Sequence, residues 1–223
     1  MKDIPGDTSF LEMLDILNEQ LISEGKEPVV FDHDCREGIC GMCSLHIDGR
    51  AHGPGDGATT CQIYMRRFKD GATIVIEPCV RRLSPVIKDL VVDRSAYDKI
   101  LQPAASSRSV RMPCRMPTTF PSRGRCRRCD GCRCCIGCGA CAATCKNGSA
   151  MLFVAARVSS LAKLPQGRVE GARRAKAMVA KMDELGFGNC TNTGACQAEC
   201  PKMISISHIA RLNREFLSAK FED

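Results

Sequence analysis

The sequence of 223 residues has no apolar run long enough to cross a bilayer, and its longest lies around residues 150–156. The first residues lack the apolar core of a secretory signal, so we expect no export by that route. Paired Cys-x-His units are absent, which excludes Rieske-type ligation. The few histidines are scattered and are interpreted as surface or packing residues: His33, His46, His52 and His208. No pattern indicates a nucleophile, a hydride-handling site or a substrate clamp, so we predict no catalytic residue.

Cysteine, in contrast, is abundant, with 17 residues. Disulfide scaffolds are small and secreted, and a chain of this length without a signal is neither. Clustered C-x2-C spacing in such a chain instead indicates metal binding in a reducing compartment. The length suffices for two modest domains, each with its own core.

The cysteine run at residues 135–145 has the spacing C-x2-C-x2-C-x3-C. In two-cluster ferredoxins this run gives three thiolates to one iron-sulfur cubane and the fourth to the other. A second group of three cysteines, within residues 190–200, completes the pair. We therefore predict a 4Fe-4S cluster on Cys135, Cys138, Cys141 and Cys200.

The second cluster of this pair lacks one thiolate, because Thr193 stands where a full ferredoxin half has cysteine. A cubane without a ligand at one corner most simply loses that iron. We predict a 3Fe-4S cluster on Cys145, Cys190 and Cys196. Zinc is the alternative, but seven thiolates divided four and three fit tetrahedral zinc poorly.

A third site is predicted near the N-terminus, where the spacing C-x4-C-x2-C with a distant fourth cysteine is typical of plant-type 2Fe-2S clusters. Gly38 and Gly41 lie inside this run, and glycine lets a loop bring its backbone N–H groups close to sulfur. We predict a 2Fe-2S cluster in a small β-rich domain, on Cys35, Cys40, Cys43 and Cys61. A zinc loop is the alternative here too.

The net charge of +7 comes from one segment, residues 103–134. That segment holds eight of the 32 basic residues and one of the 25 acidic residues, so 24 of each sign remain elsewhere. Global basicity therefore gives no indication of a nucleic acid or anionic membrane partner. The segment contains no Ile or Leu, and in this it differs from any packed domain.

Cysteines inside this segment leave a rival site open. The x2 spacing runs from Cys126 into the cubane motif without a break, so a zinc or extra-cluster site is an alternative at Cys126, Cys129, Cys132 and Cys134. Cys79 and Cys114 have no partners in sequence, and we interpret both as non-ligands.

The first helix is predicted from a capping box, in which Ser9 caps the helix and Glu12 closes the box. Gly25 ends the run. Apolar residues at helical spacing are expected to face the core: Leu11, Leu14, Leu17, Leu21 and Ile22.

Alternation predicts strands at Leu45 and Ile47 and again at Thr73 and Val75. Further helices are predicted over residues 86–101, 170–185 and 204–220. The helix over 170–185 would stop at Gly186. One face of the last helix is expected to carry Ile206, Ile209, Leu212 and Phe216.

Three clusters of these types in this order resemble the iron-sulfur subunit of succinate dehydrogenase and fumarate reductase. Segments 31–43, 85–101, 135–152 and 165–200 and the C-terminal helix are similar to the form found with dihaem, menaquinone-linked membrane partners. The resemblance implies an α+β fold, with an N-terminal β-grasp 2Fe-2S ferredoxin-like domain over 1–93 and an α-helical domain with two clusters over 94–223. Members usually carry a strand hairpin ahead of this starting point, so we expect the first domain to lack N-terminal strands.

The resemblance also implies partners and a location. The first domain would dock on a FAD-bearing catalytic subunit and the second on a membrane cytochrome b subunit that carries haem. Electrons would pass between flavin and a quinone, which the resemblance implies is of the menaquinone type, with no nucleic acid partner. The chain would be peripheral on the cytoplasmic face of the bacterial inner membrane.

Some residues depart from the family pattern. Lys146, Ala150 and Thr191 stand where many relatives have Pro, Trp and His, so the quinone-contacting residues stay unassigned. Because the family pattern is regained on both sides of 103–134, we hypothesise a compensated frameshift there, and a second at 79–84. Two other functions stay open, namely the iron-sulfur subunit of another flavin-linked dehydrogenase and a zinc-stapled nucleic-acid module.

Overall fold

The structure is a computed structural model that describes residues 1, 3–79, 84–105, 135–163 and 167–221. Strands are confined to the first part of the described chain, and the part after residue 94 is helical. The predicted α+β class, with strands in the first part and helices in the second, is confirmed. The anomalous segment from residue 106 onward and the rival zinc cysteines lie outside the described residues, as does Cys114.

Helix α1 (Phe10–Ser23) begins as predicted, with a complete capping box. The Ser9 backbone N–H donates to the Glu12 carboxylate at 2.7 Å, and the Glu12 N–H donates to the Ser9 hydroxyl at 3.3 Å. The start of the helix packs into the core of the first part, but Ile22 is 61% exposed. The prediction that Ile22 faces the core is therefore wrong, since the helix leaves the core before its last turn.

The main sheet has three short antiparallel strands in the order β2-β1-β3. Strand β1 is Leu45–Ile47, β2 is Arg50–Ala51 and β3 is Ile76–Pro78. The strand predicted at Thr73 and Val75 is thus shifted along the chain. Val75 precedes β3 and forms two hydrogen bonds with Asp48 outside the strand pairing. The Asp48 N–H donates to the Val75 carbonyl, and the Val75 N–H donates to the Asp48 carboxylate.

The helix predicted over 86–101 is wrong in its first half. Strands β4 (Val86–Lys88) and β5 (Val91–Val92) form an antiparallel hairpin there, with Asp89 at a positive φ of 46° in the turn. Helix α2 (Ser95–Ala105) follows. β-branched residues at both ends of a tight turn favour a hairpin over a helix.

The second part consists of helices around a single apolar cluster. After α2 come α3 (Ala140–Thr144), α4 (Met151–Ala162), α5 (Gly167–Glu184), α6 (Ala195–Ala198) and α7 (Ser207–Phe221). Helix α4 contains the apolar run of the sequence and is buried on most sides, whereas α5 and α7 pack against it. The last two long helices are confirmed with bounds shifted by a few residues. Among the described residues, no helix could span a membrane.

Two features of the helical part confirm details of the prediction. Gly186, at a φ of 80°, follows α5 and turns the chain. Ile209 and Leu212 are buried on α7, and Phe216 is partly buried.

The short helices α3 and α6 each begin after a glycine in the left-handed conformation, Gly139 and Gly194, and each carries a predicted cysteine ligand.

Candidate iron-sulfur sites

The loop at residues 35–43 wraps its backbone around one sulfur atom. The N–H groups of Glu37 and Cys40 donate to Cys35 Sγ at 3.3 Å, and that of Ile39 donates at 3.4 Å. These three hydrogen bonds lower the pKa of the Cys35 thiol to about 7. A thiolate is the form that binds iron, so the loop favours the state that ligation requires.

Gly38 and Gly41 have positive φ values of 72° and 74°, which let the loop turn its N–H groups inward. A non-glycine residue at either position would adopt a left-handed conformation that costs about 1–2 kcal/mol. The function assigned to both glycines from the sequence matches this backbone geometry.

Cys40 and Cys43 lie in the same loop, and Cys61 lies in a short 3-10 helix between β2 and β3. Cys43 and Cys61 are each 4% exposed and share one apolar cluster with α1 and β1. Burial raises the pKa of the Cys43 thiol to about 12, with Cys61 and Cys40 as charged neighbours. The Thr59 hydroxyl lies 3.2 Å from Cys61 Sγ. The sheet and the loop thus bring together Cys35, Cys40, Cys43 and Cys61.

The second cysteine group lines a single cavity between the 135–139 loop and helix α4. All four residues predicted to hold a 4Fe-4S cluster line it, namely Cys135, Cys138, Cys141 and Cys200. Leu152, Phe153 and Ile204 supply apolar walls. Burial raises the pKa of the Cys138 thiol to about 12 and that of Cys141 well above its ordinary value. Cys200 reaches the cavity from a distant part of the sequence, as the interlocked motif predicts.

The third group lies next to the second. Cys190 and Cys145 are close enough to Cys196 for their charges to raise its pKa, an effect smaller than that of burial. The N–H of Asn192 donates to Cys190 Sγ at 3.4 Å. Thr193, at the position of the missing fourth cysteine, is exposed. The charge of Cys196 also acts on Cys141, so the two groups are neighbours.

The donor sets fit iron-sulfur clusters in their chemistry. Each consists of cysteine thiols, and backbone N–H groups donate to sulfur at Cys35 and Cys190. In the described part of the chain, no three His, Cys, Asp or Glu side chains form a site for a single metal ion. A single-ion site brings all its ligands to one metal atom, whereas the thiolates of a cluster are distributed over several irons.

The first two cysteine loops contact each other directly. A Cβ atom built on Gly41 would lie 2.5 Å from the Ile136 carbonyl oxygen and 3.0 Å from the Cys138 nitrogen. The Ser44 hydroxyl donates to the Cys138 carbonyl at 2.8 Å, and the Arg94 guanidinium donates to the Gly41 carbonyl at 2.7 Å. Arg94 also donates to the Gly137 carbonyl. The two sites therefore share a backbone-to-backbone contact.

Sequence reasoning missed Ser44, Thr59 and Arg94. Ser44 directly follows Cys43 and Thr59 lies two residues before Cys61, so adjacency to a ligand is a signal that could have found both. Arg94 has no such signal, because its contacts depend on how the two parts of the chain pack. Cys79, predicted to be no ligand, is buried at 7% exposure beside Tyr97 and Ser84.

Two family models match the chain in the order that the cysteine spacing predicts. Residues 2–99 match the 2Fe-2S iron-sulfur cluster binding domain, and residues 134–204 match the 4Fe-4S dicluster domain.

Individual relatives agree with these matches. The chain is 29% identical over 205 residues to the succinate dehydrogenase iron-sulfur subunit of Bacillus subtilis, covering 86% of this chain and 74% of that protein. It is 34% identical over 98 residues to the succinate dehydrogenase iron-sulfur subunit of Paracoccus denitrificans, covering 41% of this chain and 34% of that protein. The fold is similar to a chain of the Mycobacterium smegmatis Sdh1 complex in the apo form, with a TM-score of 0.71, 23% identity and coverage of 98% and 88%.

Proposed function

The chain belongs with the iron-sulfur subunits of succinate dehydrogenases, and on that premise we propose that it carries electrons between a FAD-containing subunit and a membrane quinone. The reaction would be succinate oxidation or, in reverse, fumarate reduction on the partner. One observation carries the proposal: Cys200 meets the three cysteines of the 135–141 loop around one cavity. Such interlocking of distant segments is the arrangement of two-cluster ferredoxins.

The ligand assignment follows the three cysteine groups. We assign the 2Fe-2S cluster to Cys35, Cys40, Cys43 and Cys61, the 4Fe-4S cluster to Cys135, Cys138, Cys141 and Cys200, and the 3Fe-4S cluster to Cys145, Cys190 and Cys196. The clusters, when bound, would accept and release single electrons. The protein would hold them by its thiolates, direct N–H groups at Cys35 and Cys190, and exclude water with the apolar walls of the second cavity.

The 3Fe-4S assignment is supported by Thr193. Its hydroxyl replaces the thiolate that a fourth iron would need, and the residue is exposed beside Cys190. A neutral hydroxyl is a far weaker ligand than a thiolate for the iron of a cluster, because iron-sulfur clusters prefer soft sulfur ligands.

Two partners complete the proposed complex. The first part of the chain would dock on the FAD subunit and the second on a haem-bearing cytochrome b, with the chain peripheral on the cytoplasmic face of the inner membrane. The menaquinone type rests on the resemblance of the segments around the cysteine motifs. The family matches favour iron-sulfur chemistry over the zinc module, and the named relatives favour succinate dehydrogenase over other flavin-linked dehydrogenases.

Purification tests the proposal. The full chain, tagged and isolated from native membranes with its associated proteins, is expected to contain iron and acid-labile sulfide and to bring a FAD protein and a haem protein with it. Zinc without sulfide would contradict the proposal. Iron and sulfide with an unrelated flavoprotein would assign the chain to another dehydrogenase.

A matched pair of cysteine variants tests the ligand assignment. Cys141→Ser removes a predicted ligand and is expected to lower iron and sulfide, whereas Cys79→Ser changes a buried cysteine that is predicted to bind nothing. Equal iron content in the two variants would contradict the assignment.

A further inference from the structure

Arg94 lies between the first two cysteine loops, in the short segment that joins β5 to α2. One terminal nitrogen of its guanidinium donates to the Gly41 carbonyl at 2.7 Å and lies 3.7 Å from Met42 Sδ. The other donates to the Gly137 carbonyl. A single side chain therefore bonds to both loops, one carbonyl on each.

This arrangement fixes the spacing of the loops. Guanidinium donors are held in a rigid planar fork, so two acceptors that share it cannot move independently. The backbones of the two loops are also in close contact. Gly41 lies so near the Ile136 carbonyl and the Cys138 nitrogen that no side chain would fit there. Ser44 adds a hydrogen bond across the same contact.

The fork also carries a charge. A guanidinium is always protonated in proteins, and this one bonds to carbonyl oxygens, which do not neutralise it. Positive charge near a redox centre favours the reduced state, because the added electron is attracted to it. Arg94 is half-buried, so solvent and salt screen its charge less than they would screen a charge at the surface.

Tyr97 shows that Arg94 and the second loop share surroundings. Arg94, Tyr97, Cys138 and Gly139 line one small cavity. The tyrosine ring also lies against Gly139, where a built Cβ would be 3.0 Å from the hydroxyl oxygen.

We propose that Arg94 is a positioning residue for electron transfer between the 2Fe-2S and 4Fe-4S sites, an inference that rests on the proposed function. Its fork sets the spacing of the two cysteine loops, and its charge raises the reduction potential of both centres. One electron crosses the contact at a time, oxidising one centre and reducing the other, with no bond or proton changed.

Three variants of the full chain, purified with its partners, test this inference. Arg94→Gln removes both the charge and the fork. Arg94→Lys keeps the charge but cannot bridge two carbonyls in the same way. Arg66→Gln is the matched control, because it removes a positive charge at a surface ion pair with Asp7, where solvent screens it.

The readouts are the midpoint potentials of the two centres and the magnetic interaction between them when both are reduced. We expect Arg94→Gln to lower both potentials, Arg94→Lys to keep them near those of the unsubstituted chain, and both variants to change the magnetic interaction. Arg66→Gln should change neither quantity. Iron content is measured in every sample.

Potentials and magnetic interaction in Arg94→Gln equal to those of the unsubstituted chain, with clusters loaded, would overturn the inference. Loss of clusters from both Arg94 variants but not from Arg66→Gln would also overturn it, since Arg94 would then serve assembly alone. Absence of both cluster signals from the unsubstituted chain would instead refute the proposed function, so the two failures are distinguishable.

Discussion

The hydroxyl of Ser44 donates a hydrogen bond to the backbone carbonyl of Cys138 at 2.8 Å, although the two residues are 94 positions apart in sequence. The same hydroxyl lies 3.2 Å from the Gly41 carbonyl. A residue next to a predicted ligand of the first site thus holds the backbone of a predicted ligand of the second. The contact between the two cysteine loops is therefore a built feature of the fold.

Ser44→Ala removes this partly buried hydrogen bond and leaves the Cys138 carbonyl with one partner fewer. We expect a loss of about 0.5–1.5 kcal/mol in the free energy of unfolding. Urea unfolding followed by far-ultraviolet circular dichroism measures it. Ser23→Ala is the control, because that hydroxyl bonds to the Gln20 carbonyl on an exposed helix end. Equal losses in the two variants would show that the contact between the loops contributes nothing.

Gly41→Ala tests the close approach of the two loops. The substitution imposes a left-handed alanine, which costs about 1–2 kcal/mol, and adds a clash with the Ile136 carbonyl. Gly49→Ala imposes the same backbone strain at a φ of 78° with no atom within 4 Å of the new methyl group. We expect Gly41→Ala to lose its visible absorbance in urea much faster than Gly49→Ala. Identical rates would contradict the observed contact.

Thr193→Cys tests the 3Fe-4S assignment. The added thiolate supplies the ligand that a fourth iron needs, so we expect the 3Fe-4S signal of the oxidised protein to disappear and one more iron to bind per chain. Thr191→Cys, at a neighbouring exposed position, is expected to retain the signal. Retention of the signal in Thr193→Cys would place the missing corner elsewhere.

Ser9→Ala tests the capping box of α1. The variant loses the hydroxyl that accepts the Glu12 N–H, and we expect a cost of about 1 kcal/mol in the free energy of unfolding. Ser218→Ala, on an exposed position of α7, should cost less than half of that amount. A smaller cost for Ser9→Ala than for Ser218→Ala would contradict the capping geometry.

Local patterns in the sequence predicted the elements whose determinants are local. The capping box located α1, and cysteine spacing grouped residues that the structure places together around the second cavity. The β4–β5 hairpin was mistaken for a helix because its apolar residues also fit a helical period, and Val86 and Ile87 are exposed rather than buried. Their β-branched side chains were the signal that favoured strands.

Contacts between the two parts of the chain were beyond sequence reasoning. Arg94 and Ser44 each bond to backbone carbonyls, which every residue carries, so no pairing of side-chain types reveals them. Gly41 was singled out for its effect on the first loop, whereas the structure adds a second reason, the approach of the Ile136 carbonyl. Such contacts depend on how domains pack, which residue spacing does not encode.

Low-temperature EPR of membranes that contain this chain, recorded before and after addition of succinate, tests the central claim most directly. We expect a 3Fe-4S signal that disappears on addition of succinate while a reduced 2Fe-2S signal grows, because electrons from succinate would reach both centres through this chain. Cluster signals that do not respond to succinate would contradict the proposed electron donor. Absence of any 3Fe-4S signal before succinate would contradict the assignment of Cys145, Cys190 and Cys196.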